Sequence, residues 1–437
     1  MDLSRWLRLP PGVRLRFEQP LLAALAALAL LLALLDPYRG WRVLTVALLG
    51  VLLVSLLWTL ALARRLTLRR EMRFGWAQVG DRLVERFTLE NASAWPALWL
   101  EVLDHSTLPG YRASRGTGAP ARDVIRWHRE TWCTRRGLFT LGPTTLRSGD
   151  PFGLFTFART YEQWTTLMVT PPIIPLPQVE IAPGGRSGEG RPRDYAPERT
   201  VSAGTVRSYQ PGDSYRWIHW KTSAHRDALY VRLFDGTPAS DWWILLDLDR
   251  RVQVGQEDEA TEEYAIMLAA SLADRGLREG QRVGLIAYGQ SPIWLPPARG
   301  EGQRWEILRA LALAEPGTLT LAQVLERSAP TLGAYPSLII ITSAAHSAWI
   351  EALLPLLRRG VVPTVFLFDP RSFGGEGDPT ITARLLAQWG VREVVLERDW
   401  LERPRPLEET RRPLGYGRVS HGRRSADWDW RLLGGGA

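Results

Sequence analysis

The sequence predicts a composite architecture: a membrane α-hairpin, then a β-sandwich, then an α/β domain with a mainly parallel sheet and helices on both faces. Three observations predict it. Two apolar runs stand close to the start, short strand-like segments fill residues 71–170, and strands alternate with amphipathic helices from residue 241. A chain of 437 residues exceeds what one hydrophobic core usually organises, so two or three folded units are expected.

The apolar runs are Pro20–Leu35 and Val43–Ala63, together a two-helix transmembrane hairpin over 20–63 behind a basic N-terminus, 1–19. The second run carries no charge and is long enough to cross a hydrocarbon core of roughly 30 Å at about 1.5 Å per residue. The first, 16 residues, is short for a span. The segment between them, Asp36-Pro-Tyr-Arg-Gly-Trp-Arg42, has room only to reverse the chain. Arg5, Arg8, Arg14 and Arg16 precede the hairpin, and Arg64, Arg65, Arg69, Arg70 and Arg73 follow it, against Arg39 and Arg42 in the turn. Because positive residues stay inside, both termini and everything after residue 64 are expected in the cytoplasm. A cleaved signal peptide is the competing reading, and the longer second span so close behind argues against it.

Over 71–170, Leu83–Leu89, Ala97–Leu103, Arg126–Thr134 and Arg136–Pro143 read as short strands broken by turn residues, the pattern of a small β-sandwich. Residues 171–200 are rich in proline and glycine and read as a linker. From 241 to 400 the expected strands are Trp242–Leu248, Gln281–Tyr288, Ser337–Thr342, Val362–Phe368 and Glu393–Leu396. Helices are expected at Glu259–Arg275, Gln303–Leu313, Ala348–Arg359 and Ile381–Gln388, and this alternation means a parallel-type sheet. The tail, 401–437, is basic and poor in aliphatic residues and is expected to be disordered.

Composition narrows the function. The net charge of +8 concentrates beside the apolar runs and in the tail, so it is not read as a nucleic-acid footprint. The single cysteine, Cys133, permits no intrachain disulfide and no zinc site, and the six histidines lack metal-ligand spacing. No phosphate-binding Gly-x-x-x-x-Gly-Lys-Ser/Thr loop and no Gly-x-Ser-x-Gly elbow occurs. Nothing in the sequence calls for an enzyme.

Lys221 is the only lysine among 54 basic Lys and Arg residues, and it falls in the dense segment Arg207–Arg226. Lysine is a compact charge where arginine is a rigid fork, so its use here reads either as a need for the smaller cation or as chance. Within 201–240 the candidate residues are Arg207, Tyr209, Asp213, Arg216, His219, Trp220, Lys221 and Arg226. Three readings stay open. They lock the segment onto the α/β domain through stacking and hydrogen bonds, they form a cationic and aromatic face for a partner, or Arg207, Arg216, Lys221 and Arg226 hold a phosphate.

The motifs Tyr209-Gln-Pro-Gly-Asp213, Arg216-Trp-Ile-His-Trp-Lys-Thr-Ser-Ala224 and Leu229-Tyr-Val-Arg232 carry a family resemblance, together with Arg136–Pro143 and Asp150-Pro-Phe-Gly-Leu154. With these motifs the chain resembles bacterial membrane proteins carrying the domain of unknown function 58. The resemblance implies a von Willebrand factor type A-like C-terminal domain and a place in the bacterial inner membrane. It also implies a MoxR-type AAA+ ATPase as partner and a transglutaminase-like membrane protein nearby. A metal-binding type A domain carries Asp-x-Ser-x-Ser after its first strand, where this sequence has Asp247-Leu-Asp-Arg-Arg251. Asp247 and Asp249 remain as candidate magnesium ligands, with Thr318 or Thr320 in the threonine role, but Arg251 brings positive charge to a ligand position. The alternative is that Asp247 and Asp249 pair with Arg250 or Arg251, with no cofactor. The expected function is therefore a non-enzymatic, bilayer-tethered scaffold or adaptor for the ATPase in assembly or maturation of an envelope-related target. Its rival is a metal-dependent receptor for a carboxylate ligand.

Overall fold

The computed structural model describes residues 9–72, 75–176, 179–182, 205–210, 218–226, 228–233, 241–332 and 336–401. It is a mixed α/β structure with several sheets, and it divides into two compact units that meet in sequence at Pro171 and Pro172.

The first unit opens with β1 (Val13–Phe17), α1 (Pro20–Leu35) and α2 (Arg39–Arg65). There follow β2 (Leu66–Met72), β3 (Trp76–Gln78), β4 (Arg82–Asn91), β5 (Ala97–Asp104) and β6 (Arg115–Ala119). It continues with β7 (Asp123–Trp132), β8 (Gly137–Leu141), β9 (Thr144–Gly149), β10 (Phe155–Tyr161) and β11 (Thr165–Thr170). The strands form three sheets, ordered β1-β10-β9-β5-β6, β2-β4-β7 and β3-β11-β8. They share one core in which alternate residues point inward: Leu83, Phe87 and Leu89 on β4, Leu100 and Val102 on β5, Leu167 and Val169 on β11.

Three expectations for this unit change. The basic N-terminus is not separate from the β-domain, because Val13–Phe17 pairs antiparallel with β10 and buries Val13 and Leu15. The turn between the helices is only residues 36–38; the Asp36 carboxylate accepts the Tyr38 amide at 3.0 Å and the Trp41 indole at 3.2 Å, which lets α2 begin at Arg39. Among the described residues only α2 is long and apolar enough to cross a membrane, α1 being shorter. The C-terminal part of α2 is not available to lipid either, since Thr59, Leu60, Leu62 and Ala63 are buried in the core of the β-unit.

The second unit begins with 172–176 and 179–182, which do not behave as a linker. Ile174 and Val179 enter the core, the Ile174 amide donates to Ser271 at 3.0 Å, and the Ala182 amide donates to Thr364 at 3.0 Å. Spaced aliphatic residues among the prolines make this segment an extended strap. The rest of the predicted linker, 183–200, lies outside the described residues, as does the tail 402–437; Leu401, counted with the tail, is buried.

Next come β12 (Thr205–Ser208), α3 (Trp220–Arg226), β13 (Tyr230–Leu233), β14 (Trp242–Leu246) and α4 (Thr261–Arg278). They are followed by β15 (Val283–Tyr288), β16 (Pro292–Ala298), α5 (Gly300–Ala312), α6 (Leu321–Ser328) and β17 (Ser337–Thr342). The last elements are α7 (Leu354–Arg358), β18 (Val362–Phe368), α8 (Thr380–Gln388) and β19 (Arg392–Leu396). Six strands form one sheet in the order β16-β15-β14-β17-β18-β19, parallel except for the edge strand β16. Every residue of β14 and β17 is buried, as befits strands covered on both faces. Ile244 and Leu246 point to the side covered by α4 and α5, and Trp243 and Leu245 to the side covered by α6, α7 and α8. The helix expected at Ala348–Arg359 is mostly 3-10, over Ser347–Leu353, with only one α-turn after Pro355.

Candidate functional site

Counted within the sheet itself, the six strands run 3-2-1-4-5-6, with β14 first and β17 fourth. The helix after β14 covers one face and the helical segment after β17 covers the other. Such a divergence opens a crevice at the carboxyl ends of the two strands, which is where open α/β sheets take ligands. Asp247 and Asp249 stand there, directly after β14, and Thr342 ends β17.

Both carboxylates are buried and both are engaged. Asp247 accepts the Thr342 hydroxyl at 2.7 Å and the Asp249 amide at 3.1 Å. Burial pushes its carboxyl up to about 6, the neighbouring Asp249 adding to the effect while Thr342, the Asp249 amide and Arg251 oppose it. Asp249 is clasped by the Arg251 side chain, Nε to Oδ1 at 2.9 Å and Nη2 to Oδ2 at 2.8 Å, and the same guanidinium reaches the Thr318 carbonyl at 3.2 Å. Arg250 turns away, donating to the Gly317 carbonyl at 3.2 Å. Of the two predicted pairings, it is therefore Arg251 with Asp249 that forms.

A divalent ion needs six or more oxygen ligands, and hard carboxylates supply its counter-charge. Among the described residues no group of three or more acidic, histidine or cysteine side chains converges. Thr320, one of the two threonines proposed as ligands, caps α6: its hydroxyl accepts the Gln323 amide at 3.2 Å while Gln323 returns to the Thr320 amide. The side chain that does meet Asp247 is Thr342, at the end of β17. Its hydroxyl accepts the Ala344 amide at 3.0 Å while donating to Asp247. The Arg251 guanidinium thus engages both oxygens of Asp249, while the Thr342 hydroxyl, itself an oxygen donor, engages Asp247.

The second candidate is the segment around Lys221. The strands β12 and β13 pair antiparallel, with the Tyr209 amide extending the ladder to the Leu229 carbonyl at 2.8 Å. His219 is bonded to β13 through its amide, which donates to the Tyr230 carbonyl at 2.8 Å. Its Nδ1 accepts the Thr222 amide at 3.1 Å and lies 2.7 Å from the Thr222 hydroxyl, so the ring caps the start of α3. Ser223 accepts the Tyr230 amide at 2.9 Å and ties the helix to the same strand. Arg226 lies over the Tyr230 ring at 5.5 Å, and its bond to the phenol, followed by that of Ser208, holds the Tyr230 hydroxyl below its ordinary range.

Trp220 and Lys221, in contrast, point outward. Trp220 is 67% exposed, and Lys221 is exposed and pairs with no carboxylate among the described residues. Tyr209, His219 and Arg226 thus support the segment, Trp220 and Lys221 are displayed by it, Arg207 contributes backbone to β12, and Asp213, Arg216 and the Arg207 side chain lie outside the described residues.

Comparison with known proteins reaches both candidates. Residues 205–372 match the model of a family described as protein of unknown function DUF58. The chain is similar to the uncharacterized protein YeaD of Bacillus subtilis, 26% identical over 254 residues, which cover 56% of this chain and 61% of that protein. It is also similar to an uncharacterized protein of Mycobacterium tuberculosis, 26% identical over 176 residues, 38% of this chain and 55% of the other. The chain thus spans less than two-thirds of these curated relatives. Among solved structures, an aerotolerance-related membrane protein from Bacteroides fragilis, carrying multiple mutations to serines, is 15% identical. It covers 36% of this chain and 92% of its own, with a TM-score of 0.27.

Proposed function

We propose that this chain is a membrane-tethered, non-enzymatic adaptor whose displayed pair, Trp220 and Lys221, is a docking point for a protein partner. The observation that carries the reading is the division of labour within α3. His219, Ser223 and Arg226 are tied to β13, and the large aromatic and the lone lysine are left in solvent on a braced support. A large, rigid aromatic such as tryptophan is a usual anchor of a binding hot spot. The partner we propose is the MoxR-type AAA+ ATPase that the family resemblance implies, with an envelope-related target.

Two further features support the tethered adaptor. The strands flanking the helices, β1 and β2, both join sheets of one β-unit, so the chain returns to the side it left, as two spans require. With Arg14, Arg16, Arg64, Arg65 and Arg69 on that side, the positive-inside bias favours the cytoplasm. The sheet order with its antiparallel edge supports a type A-like domain, and the Asp249–Arg251 clasp favours a metal-free one.

The test is recovery from the native membranes, with and without ATP, by tagged full-length protein. Wild type is expected to retain an AAA+ ATPase, and Trp220→Ala to lose at least tenfold of it at unchanged expression and melting temperature. Lys221→Arg is expected to weaken retention with the fold intact. Recovery of the same proteins by wild type and Trp220→Ala would sink the docking role. Titration of magnesium into the detergent-solubilised protein separates the receptor reading: the adaptor predicts no heat, and saturable uptake of one ion per chain would favour the receptor.

A further inference from the structure

We propose that the β-unit rests directly on the lipid surface through an aromatic collar, Phe152 and Trp95, at the base of the helical hairpin. This rests on the membrane-tether reading above and adds what that reading leaves open, namely which protein surface meets the lipid headgroups.

The first argument is length. Of the apolar run in α2, the lipid-accessible positions lie within Val43–Leu57, where Thr45 and Ser55 are buried and Leu52 and Leu56 already pack against the β-unit, because the helix beyond belongs to its core. Those residues span about 22 Å, and the 16 residues of α1 about 24 Å, against a hydrocarbon core of roughly 30 Å. Arg39 and Arg42, with Tyr38 and Trp41, reach the far interface only if the base of the hairpin is drawn down to the near one. No spacer remains to hold the β-unit off the membrane.

The second argument is what stands at that base. Trp58 donates to the Pro96 carbonyl at 3.0 Å, and its ring lies 4.4 Å from that of Trp95. On the other side, the Phe155 carbonyl accepts the Thr59 hydroxyl of α2 at 3.4 Å, and the Leu154 carbonyl accepts the Glu18 amide at 2.9 Å, two residues before α1. The Trp99 indole, on β5 just after the first loop, ties that strand to the second by donating to the Asp150 carbonyl at 3.3 Å. Both loops therefore flank the point where the helices enter the β-unit.

The motif Asp150-Pro-Phe-Gly-Leu154 now has a physical role. Asp150 is fully buried, and its carboxylate accepts the amides of Phe152 at 2.8 Å and Phe155 at 2.6 Å, while Gly153 takes a φ of +68°. A buried anion is spent on fixing a turn whose tip, Phe152, is 62% exposed. Trp95, on the other flank, is 37% exposed. Aromatic rings at headgroup depth, continuous with an exposed apolar hairpin, fit the bilayer interface.

Single cysteines carrying an environment-sensitive fluorophore test this in the full chain. Cys133 is buried, its thiol pushed up to about 11 by burial and then by Asp81, so labelling is confined to the introduced site. Labels are placed by Phe152→Cys, Trp95→Cys, Val51→Cys within α2, and Arg82→Cys at the end of β4 about 30 Å from Asn91, which pairs with Leu66 where α2 stops. The protein is reconstituted in phosphatidylethanolamine–phosphatidylglycerol vesicles with nitroxide lipids, shallow or deep. The collar predicts quenching at positions 152 and 95 by the shallow nitroxide several-fold above that at position 82, with position 51 quenched by the deep one. Position 51 quenched while position 152 matches position 82 would overturn the collar and leave the tether standing. No quenching at position 51 would overturn the tether, and the collar with it.

Discussion

Replacing Arg70 with alanine is expected to cost the β-unit about 3–5 kcal/mol, the cost of stranding buried charge. The guanidinium is the hub of a network closed off from solvent. It forks onto Glu85 at 2.8 and 2.7 Å, donates to Asp104 at 2.7 Å and to Ser106 at 2.9 Å, and its charge lies over the Phe87 ring at 5.4 Å. Tyr111 also donates to Glu85, and burial followed by that carboxylate drives its phenol far above the ordinary range. Glu85 is fully buried, so without the guanidinium its charge has neither water nor a cation. Arg70→Lys is expected to rescue little, because one ammonium cannot reproduce the bidentate fork while also reaching Asp104. Arg70→Met with Glu85→Gln and Asp104→Asn should recover much of the loss, since it removes the charges together. Thermal unfolding of the solubilised full chain reads all three, and an Arg70→Ala protein melting within about 2 °C of wild type would show that the network adds nothing.

That network also marks the limit of what the sequence discloses. Arg70 reads as one more positive residue beside a membrane run, because charge counting ignores which way a side chain points. The contrary signal was present. Residues 66, 68 and 70 share a face of β2, whose first two members are buried leucines, and Glu85 lies between Leu83 and Phe87 on the inward face of β4. A charge at an inward position of an alternating strand implies a partner.

Ser337–Thr342 and Val362–Phe368 were legible to the residue because they are short, rich in β-branched or aromatic residues, and bounded by turn residues, which together favour a strand over a buried helix. Pro292–Ala298 was not, its three prolines arguing against a strand; as an antiparallel edge it has amides to spare. α6 is too short for periodicity to register, although its capping pair, Thr320 and Gln323, stood in the sequence. At the crevice, Asp247, Asp249 and Arg251 were visible as a cluster. That Thr342 rather than Thr318 or Thr320 meets Asp247 depends on the order of the strands, which pattern alone does not give.

The second large effect runs in the stabilising direction. Asp247 has a carboxyl pushed up to about 6 in the folded chain, from an ordinary value near 3.8. Between about pH 4 and pH 6 the unfolded chain has lost this proton and the folded chain still holds it, so stability falls as the pH rises through that window. Above pH 6 the penalty for keeping the ion buried is constant, at about 3 kcal/mol. Asp247→Asn mimics the protonated side chain: its carbonyl oxygen still accepts the Asp249 amide, and its amide nitrogen faces the Thr342 hydroxyl. The Thr342 proton then loses its acceptor, which takes back part of the gain. The variant is expected to equal wild type near pH 4 and to be more stable by about 1–3 kcal/mol at pH 7–8, the difference between the two opening through that window. Denaturant unfolding across that range decides it. A variant less stable than wild type at pH 7–8 would mean that the negative charge itself is wanted, either by Arg251 or by a cation at the crevice, and would move weight to the metal-dependent receptor.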